Sequence, residues 1–315
     1  MRIFITKPIL EDATLMLQSE GHHVIVHHGD SPLTTEELYL EAKASDALIT
    51  MLSDKIDRDF LSANQHLKVI SNYAVGYNNI DVSAATEFGI KIGNTPDVLT
   101  EATADLALSL LLDVSRKITE SMRSIESGNW KGWEPLGFIG QSMRGKTLGI
   151  FGAGRIGQCF AETCNKAFGM EILYCSRSEK PDFQGQRVSL EELLSKSDVI
   201  SIHCDLNSET EDLFNFEAFK KMKESAIFIN TARGQVHNEE DLEKAIRERV
   251  IWGAGLDVTN PEPMSKDSPL LGLENVVITP HIGSATQIAR SQMSKLVATN
   301  ILNGLNGDKL TAGIN

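Results

Sequence analysis

The chain has 315 residues, of which 41% are hydrophobic and 23% are charged, as in ordinary globular proteins, so a disordered or fibrous chain is excluded. At roughly 150 residues per domain, this length predicts about two domains. The 30 basic and 43 acidic residues give a formal charge of −13, and no stretch is rich in Lys and Arg. The sequence therefore argues against a nucleic-acid partner.

The sequence also predicts where the protein works. No apolar stretch approaches the roughly 20 residues that a membrane span requires. The N-terminus becomes charged too early for a secretory signal. The four cysteines, Cys159, Cys164, Cys175 and Cys204, contain no CxxC pair and do not suggest a disulfide framework. We therefore expect no membrane partner and a reducing, cytoplasmic location.

Short runs rich in Ile and Val alternate with helical patterns along nearly the whole chain. This alternation is typical of parallel sheets with crossover helices. In the first third, the capping box Thr34-x-x-Glu37 predicts the start of one such helix. The strands predicted there are residues 2–6, 23–27, 47–50, 67–71 and 90–92.

A second series of strands follows a long helical segment at 100–118 and has the spacing of a dinucleotide-binding fold. Its six predicted strands are residues 147–151, 171–175, 199–203, 226–230, 253–258 and 276–279. A final helix at 284–305 is long enough to return to the first series. We expect two α/β domains with doubly wound parallel sheets: a Rossmann-type dinucleotide-binding domain at 100–285 and a flavodoxin-like substrate domain formed by 1–99 and 286–315.

The first strand of the second series runs directly into the motif Gly152-x-Gly154-x-x-Gly157. In such a motif, the first Gly forms the tight turn, the second lets the backbone approach a pyrophosphate, and the third packs helix against strand. The N-terminus of the following helix offers free N–H groups and a positive dipole end. Another strand ends at Cys175, about 20 residues later, as the dinucleotide fingerprint requires.

That second strand ends without the Asp or Glu that binds the ribose of NAD. The chain has Ser176-Arg177-Ser178 instead. Arg177 can hold the 2′-phosphate of NADP in a forked contact, with the two serines as further donors. The sequence therefore favours NADP(H) and leaves NAD(H) possible. The alternative is that Arg177 is a solvated loop residue.

Three chemically active residues follow three successive strands: Arg233, Glu262 and His281. Ligands of open parallel sheets bind beyond the carboxyl ends of the strands. An imidazolium there can protonate the alkoxide formed when a carbonyl is reduced, which is worth ~10²–10⁴ in rate. A neighbouring carboxylate favours that protonated form, and an arginine can hold a substrate carboxylate. Taken singly, each residue could instead be structural: a packing histidine, a solvated glutamate and an ion-paired arginine.

Two further features keep alternatives open. Asp257, at the end of the fifth strand of the second series, could accept a hydrogen bond from the nicotinamide amide or cap the following turn. The histidine-rich run at 22–28 could hold a metal ion, but it offers no acidic or Cys ligand within the same segment. We therefore expect no metal site.

Several motifs together carry a resemblance to a known family. They are Val75-Gly-Tyr-Asn-Asn-Ile-Asp81, Gly152-Ala-Gly-Arg-Ile-Gly157, Asn230-Thr-Ala-Arg-Gly234, Gly255-Leu-Asp-Val258 and Pro280-His-Ile-Gly-Ser-Ala-Thr286. Over essentially its full length, the sequence resembles the D-isomer-specific 2-hydroxyacid dehydrogenases, and among them the glyoxylate/hydroxypyruvate reductase branch.

The resemblance implies specific roles. Arg233, Glu262 and His281 would be the catalytic triad, with His281 as the proton donor. The backbone N–H groups of Val75 and Gly76 would bind the substrate carboxylate. The remaining implied contacts are Ser284 with the substrate, Gly152, Gly154, Arg155, Ile156 and Gly157 around the pyrophosphate, Ser176, Arg177 and Ser178 around the 2′-phosphate, Cys204 and Asp205 near the adenosine, and Thr103, Thr231, Asp257, His281 and Gly283 around the nicotinamide.

The resemblance also implies a homodimer in which the nucleotide domains pair, with Trp133 bordering the partner's active site. One departure concerns the cofactor. The family usually has Pro-Leu-Thr where this chain has Cys204-Asp205-Leu206, and an acid near the adenosine pocket disfavours additional phosphate. Asp205 therefore counts against NADP(H).

The function implied is NADPH-preferring reduction of small 2-keto acids, from glyoxylate to glycolate and from hydroxypyruvate to D-glycerate. One alternative is another D-2-hydroxyacid dehydrogenase, such as one acting on D-lactate. Another is a non-catalytic corepressor or scaffold of the same fold that senses NAD(P)H.

Overall fold

The computed structural model describes residues 1–29 and 31–315, which divide into two compact units. The first unit comprises Met1–Leu99 and Ser284–Asn315, and the second comprises Thr100–Gly283. The first unit is thus discontinuous in sequence, and its return segment opens at Ser284 rather than at residue 286.

The first unit contains a five-stranded parallel sheet in the order β2-β1-β3-β4-β5, which is the flavodoxin-like order predicted from the sequence. All residues of β3 and β4 are buried, as expected for strands covered on both faces. The strands are β1 (Arg2–Ile5), β2 (His23–Val26), β3 (Ala47–Thr50), β4 (Val69–Asn72) and β5 (Lys91–Gly93).

Three of the helices between these strands begin at side-chain caps. The predicted capping box is confirmed, because the Thr34 hydroxyl accepts from the Glu37 N–H and the Glu37 carboxylate accepts from the Thr34 N–H at 2.8 Å. The Asp57 and Asp81 carboxylates cap the next two helices in the same way. The helices are α1 (Asp12–Ser19), α2 (Thr35–Lys43), α3 (Arg58–Ala63) and α4 (Val82–Glu87).

The second unit begins with two helices where the sequence predicted one. Lys117 adopts a left-handed conformation with φ of 56°, which ends one helix and lets the next begin at Ile118. The two helices are α5 (Thr100–Arg116) and α6 (Ile118–Glu126).

The sheet of the second unit has seven parallel strands in the order β12-β11-β10-β9-β6-β7-β8. This is the predicted Rossmann arrangement with one additional strand. The additional strand, β8, was not predicted because its two residues are exposed and lie in no apolar run. The strands are β6 (Thr147–Phe151), β7 (Glu171–Cys175), β8 (Gln186–Arg187), β9 (Val199–Ile202), β10 (Ile227–Asn230), β11 (Gly253–Leu256) and β12 (Val276–Ile278).

Helices connect these strands on both faces of the sheet. A capping box formed by Ser189 and Glu192 starts α8. Short 3-10 helices lie at Gly234–Val236 and Pro269–Gly272. The α-helices are α7 (Arg155–Phe168), α8 (Leu190–Lys196), α9 (Phe216–Phe219) and α10 (Glu239–Arg247).

The return helix, α11 (Gln287–Asn306), belongs to the first unit and packs against α1, β3 and β4. Thr286 caps it, because its hydroxyl accepts from the Ala289 N–H at 3.1 Å. At Gly304, a Cβ would lie 2.5 Å from the Cβ of Val69, so only glycine allows this close approach to β4. Within the described residues, no helix combines the length and hydropathy needed to cross a membrane.

Candidate active site

The turn between β6 and α7 has the geometry of a dinucleotide-binding loop. Gly152 has a φ of 96°, and a Cβ there would lie 2.6 Å from the backbone N of Cys204. A Cβ at Gly157 would lie 2.6 Å from the carbonyl oxygen of Gly152. At Gly154, in contrast, a Cβ would meet nothing within 4 Å, so the N-terminus of α7 is open above Arg155. These residues fit the pyrophosphate of a dinucleotide.

The loop after β7 is held by an arginine that the sequence did not single out. Arg187, on β8, donates to the carbonyl oxygens of Ser176 and Arg177, each at 3.0 Å. The Ser176 hydroxyl donates to the Ser178 carbonyl at 2.6 Å. Arg177 itself is exposed. The loop therefore presents two cations and no carboxylate at the position where NAD-binding proteins carry an acid.

Three neighbouring strands bring the predicted triad to one edge of the sheet. Strands β10, β11 and β12 are adjacent and parallel, and Arg233, Glu262 and His281 follow their carboxyl ends. The Nδ1 atom of His281 lies 2.9 Å from Oε2 of Glu262. The other carboxylate oxygen, Oε1, accepts from the Thr259 N–H at 3.0 Å. Both oxygens of Glu262 are thus occupied, which fixes the carboxylate against the imidazole.

The charges of these residues act on one another. Burial by itself raises the pKa of Glu262, but the hydrogen bond and charge of His281, the Thr259 N–H and the charge of Arg233 together lower it. Glu262 is therefore ionised at neutral pH. Burial lowers the pKa of Arg233, while the charges of Glu262 and Asp205 oppose that change. Asp205, expected beside the adenosine pocket, is thus close enough to Arg233 to affect its pKa.

A glycine lets the loops that carry Arg233 and Glu262 touch. A Cβ at Gly234 would lie 2.0 Å from the carbonyl oxygen of Thr259, so no other residue can occupy this position without moving the backbone. The carbonyl of Arg233 accepts from Nδ2 of Asn230 at 2.8 Å, which fixes the loop from the end of β10. The backbone around Arg233 is therefore set by close contact on one side and by a buried amide on the other.

Asp257 holds the turn that carries His281. Its Oδ1 accepts from the Ile282 N–H at 2.8 Å and its Oδ2 from the Gly283 N–H at 2.8 Å. The Thr279 hydroxyl donates to Oδ1 at 2.6 Å. His281 has a left-handed backbone, with φ of 55°, that this set of bonds maintains. Of the two roles predicted for Asp257, the structure shows the turn cap.

The residues expected around a nicotinamide lie at the same edge or next to it. The hydroxyl of Thr231, directly after β10, is buried and finds no partner among the described residues, so a ligand can satisfy it. Thr103, on α5, adjoins the turn after β12, because a Cβ at Gly283 would lie 3.3 Å from its Cγ2 atom. These positions are compatible with the amide of a nicotinamide ring.

The remaining predicted site residues lie elsewhere. Val75 and Gly76 follow β4, at the carboxyl edge of the first unit's sheet. Ser284 opens the return segment of that unit. Trp133 belongs to the irregular segment between α6 and β6 and is 85% exposed.

The histidine-rich segment predicted to hold no metal lies around β2. The imidazole of His27 lies 3.2 Å from the Ser31 carbonyl oxygen through its Nε2 atom. In residues 1–29 and 31–315, no group of three or more His, Cys, Asp or Glu side chains could hold a metal ion.

Comparisons with known proteins identify the family. Residues 108–283 match the model of the D-isomer specific 2-hydroxyacid dehydrogenase, NAD binding domain. Glyoxylate reductase of Thermococcus onnurineus is 45% identical over 315 residues, covering 98% of this chain and 93% of that protein. A crystal structure from Thermus thermophilus matches with a TM-score of 0.95 and 42% identity, covering 100% of both chains.

A further solved structure holds a cofactor. The NADPH-dependent glyoxylate/hydroxypyruvate reductase of Sinorhizobium meliloti, in complex with NADP and malonate, matches with a TM-score of 0.86 and 28% identity. The match covers 99% of this chain and 96% of that one. The chain belongs to the D-isomer specific 2-hydroxyacid dehydrogenase family, in its glyoxylate reductase branch.

Proposed function

We propose that the protein is an NADPH-preferring reductase of small 2-keto acids, which converts glyoxylate to glycolate and hydroxypyruvate to D-glycerate. The observation that carries this proposal is the contact of 2.9 Å between His281 and Glu262, at the sheet edge that also bears Arg233. In this proposal, the second unit binds the dinucleotide and the first unit contributes the substrate-binding loop after β4.

His281 is the proton donor in this proposal. When bound, NAD(P)H supplies the hydride for the keto carbon. The carboxylate of Glu262 occupies Nδ1 of His281, which leaves Nε2 to protonate the oxygen of the substrate. The ionised carboxylate of Glu262 also fixes the orientation of the imidazole.

Arg233 and Asp257 serve the same step in different ways. The guanidinium of Arg233 can form a charge-assisted contact with the substrate carboxylate and polarise the keto oxygen. Asp257 maintains the left-handed turn at His281 and so directs the imidazole. Thr103, Thr231 and Gly283 would hold the nicotinamide end.

The cofactor preference rests on the loop after β7. Arg177 and Arg187 bring two positive charges to this loop, which also carries the hydroxyls of Ser176 and Ser178. A 2′-phosphate carries the complementary charge, whereas the ribose hydroxyls of NAD gain less from these cations. The NADP-bound Sinorhizobium reductase supports the same preference. NAD(H) would bind more weakly.

A substrate panel tests the proposal. NADPH or NADH would be mixed with glyoxylate, hydroxypyruvate, pyruvate or 3-phosphohydroxypyruvate, and nucleotide absorbance would be followed. We expect the highest kcat/KM for glyoxylate and hydroxypyruvate with NADPH. Faster turnover of pyruvate would instead indicate a D-lactate type enzyme. Tight NAD(P)H binding without turnover of any keto acid would indicate a sensing protein.

We further propose that the partner of the chain is a second copy of itself. Helix α6 exposes Ile118, Met122 and Ile125, which are 48%, 54% and 57% exposed and lie on one helical face. Trp133 and Leu136, in the following segment, are 85% and 84% exposed. An apolar surface of this kind marks an interaction site. Sedimentation velocity should give twice the mass of one chain. In the Ile125→Asp variant, the measured mass should fall to that of a single chain.

A further inference from the structure

Two buried asparagines hold the loop that follows β4. The side-chain amide of Asn94 donates to the carbonyl oxygen of Val75 at 2.8 Å. The side-chain amide of Asn72 donates to the carbonyl oxygen of Gly76 at 2.9 Å. Asn72 is completely buried and Asn94 is 9% exposed. The consecutive carbonyl groups of Val75 and Gly76 are thus held by neutral side chains.

Because peptide groups are planar, the fixed carbonyl groups also fix the directions of the N–H groups that follow them. In a trans peptide, the C=O of one residue and the N–H of the next point in opposite directions. Because Asn94 fixes the Val75 carbonyl, the Gly76 N–H points away from Asn94. For the same reason, the Tyr77 N–H points away from Asn72.

The peptide before these two is fixed as well, here by backbone. The Thr95 N–H donates to the carbonyl oxygen of Ala74 at 2.8 Å, which directs the Val75 N–H away from Thr95. Across residues 1–29 and 31–315, no acceptor is bonded to the N–H groups of Val75, Gly76 or Tyr77. Successive free N–H groups of this kind form a concavity that binds anions.

Further hydrogen bonds tie both asparagines to the rest of the unit. The Oδ1 atom of Asn72 accepts from the Thr50 hydroxyl at 3.1 Å, so its Nδ2 must face Gly76. The backbone carbonyl of Asn94 accepts from Nδ2 of Asn300 at 3.1 Å, which ties Asn94 to helix α11. Side chains outside the loop therefore fix its carbonyl groups.

We propose that Asn72 and Asn94 are positioning residues for the substrate carboxylate. The inference rests on the proposed function, in which a 2-keto acid binds through its carboxylate to the N–H groups after β4. Without the carboxamide at position 94, the peptide between Val75 and Gly76 is free to rotate. The Gly76 N–H then no longer has a fixed direction, and the substrate carboxylate loses a hydrogen-bond donor. In this proposal, neither asparagine contacts the substrate itself.

The test compares Asn94→Ala and Asn72→Ala with a matched control. Asn64 is 1% exposed, and its Nδ2 donates to the Phe60 carbonyl at 2.8 Å, away from the loop but in the same unit. In the first two variants, we expect KM for glyoxylate and the inhibition constant of oxalate to rise about tenfold, as the loss of a binding hydrogen bond predicts. The Kd of NADPH should not change. Asn64→Ala should lower Tm and keep KM within about twofold.

The outcomes separate this inference from the proposed function. If the unaltered protein reduces no 2-keto acid, the proposed function fails. If it reduces glyoxylate and both loop variants keep their KM and oxalate inhibition, only the positioning role fails. An equal rise in KM for Asn64→Ala would also overturn that role, since it would show general loosening of the unit.

A measurement on the unaltered protein covers the case in which the variants do not fold. Hydrogen exchange of the peptide containing Val75, Gly76 and Tyr77 would be measured with NADPH, with and without oxalate. We expect oxalate to slow this exchange at least about tenfold, because the free N–H groups gain an acceptor. Unchanged exchange at saturating oxalate would overturn the inference.

Discussion

The two units share one plan, a doubly wound parallel sheet, but they differ in what they place at the carboxyl ends of their strands. In the second unit, charged side chains follow the strands, and His281 is paired with Glu262. In the first unit, the corresponding edge offers backbone N–H groups that Asn72 and Asn94 hold in place. In the roles proposed above, one fold therefore supports two kinds of chemistry: side chains that exchange protons, and fixed dipoles that only orient a ligand.

The largest expected effect concerns the strand ends of the second unit, where His281 is the proposed proton donor. His281→Ala should lower kcat by roughly 10²–10⁴, because the general acid is removed. The Kd of NADPH, measured by fluorescence titration, should stay within about twofold, because most of the proposed dinucleotide contacts lie on the turn after β6 and the loop after β7. Wild-type turnover in this variant would refute the proton-donor role.

The next effect concerns the cations of the second unit. Arg177→Asp should raise KM for NADPH roughly ten- to hundredfold, because a charge-assisted contact is replaced by repulsion. KM for NADH should change much less. Steady-state kinetics with both cofactors measure the difference, and equal changes would remove the case for NADPH preference.

A smaller effect tests the role of the pair formed by Glu262 and His281. In the Glu262→Gln variant, the charge beside His281 is lost while the shape of the side chain is kept, so kcat/KM at neutral pH should fall in steady-state kinetics. Stability should respond too. Because the pKa of Glu262 is lowered in the folded state, the stability it contributes is present at neutral pH and is lost as the pH falls through that lowered value.

Thermal unfolding of both proteins across pH checks the second half of that prediction. The difference in Tm between wild type and Glu262→Gln should be largest near neutral pH and should shrink in acid. A difference that grows in acid would show that the carboxylate does not favour its charged form in the folded state.

The smallest expected effect concerns the packing of α11 against β4 in the first unit. Gly304→Ala places a Cβ 2.5 Å from the Cβ of Val69 and should lower the free energy of unfolding by about 1–3 kcal/mol. The matched control is Gly272→Ala, where a Cβ meets nothing within 4 Å. Chemical denaturation should show no comparable loss in the control.

The difference between the units also explains what the sequence could predict. Buried strands and the Gly152–Gly157 turn follow from local patterns, and the convergence of Arg233, Glu262 and His281 follows from parallel strands ending at one edge. In contrast, β8 and its Arg187 have no hydrophobic signal, and the helix predicted at 100–118 does not anticipate α6, which begins after the left-handed Lys117.

Backbone geometry is the hardest part to anticipate. The loop after β4 is shaped by Asn72, Asn94 and Asn300, which are distant from one another in sequence and polar, so no periodicity marks them as a group. The two roles considered for Asp257 likewise separate only once the turn after β12 is seen. Such long-range hydrogen bonds depend on the assembled fold.

The discontinuity of the first unit has a consequence for synthesis on the ribosome. Its return helix, α11, covers β3 and β4 but is encoded after the entire second unit. At ~5–20 residues per second, the intervening segment takes on the order of 10–40 s to translate. Throughout that interval, the nascent first sheet lacks the helix that completes its core. The second unit, encoded without interruption, can finish folding while β3 and β4 of the first unit still lack the helix that covers them.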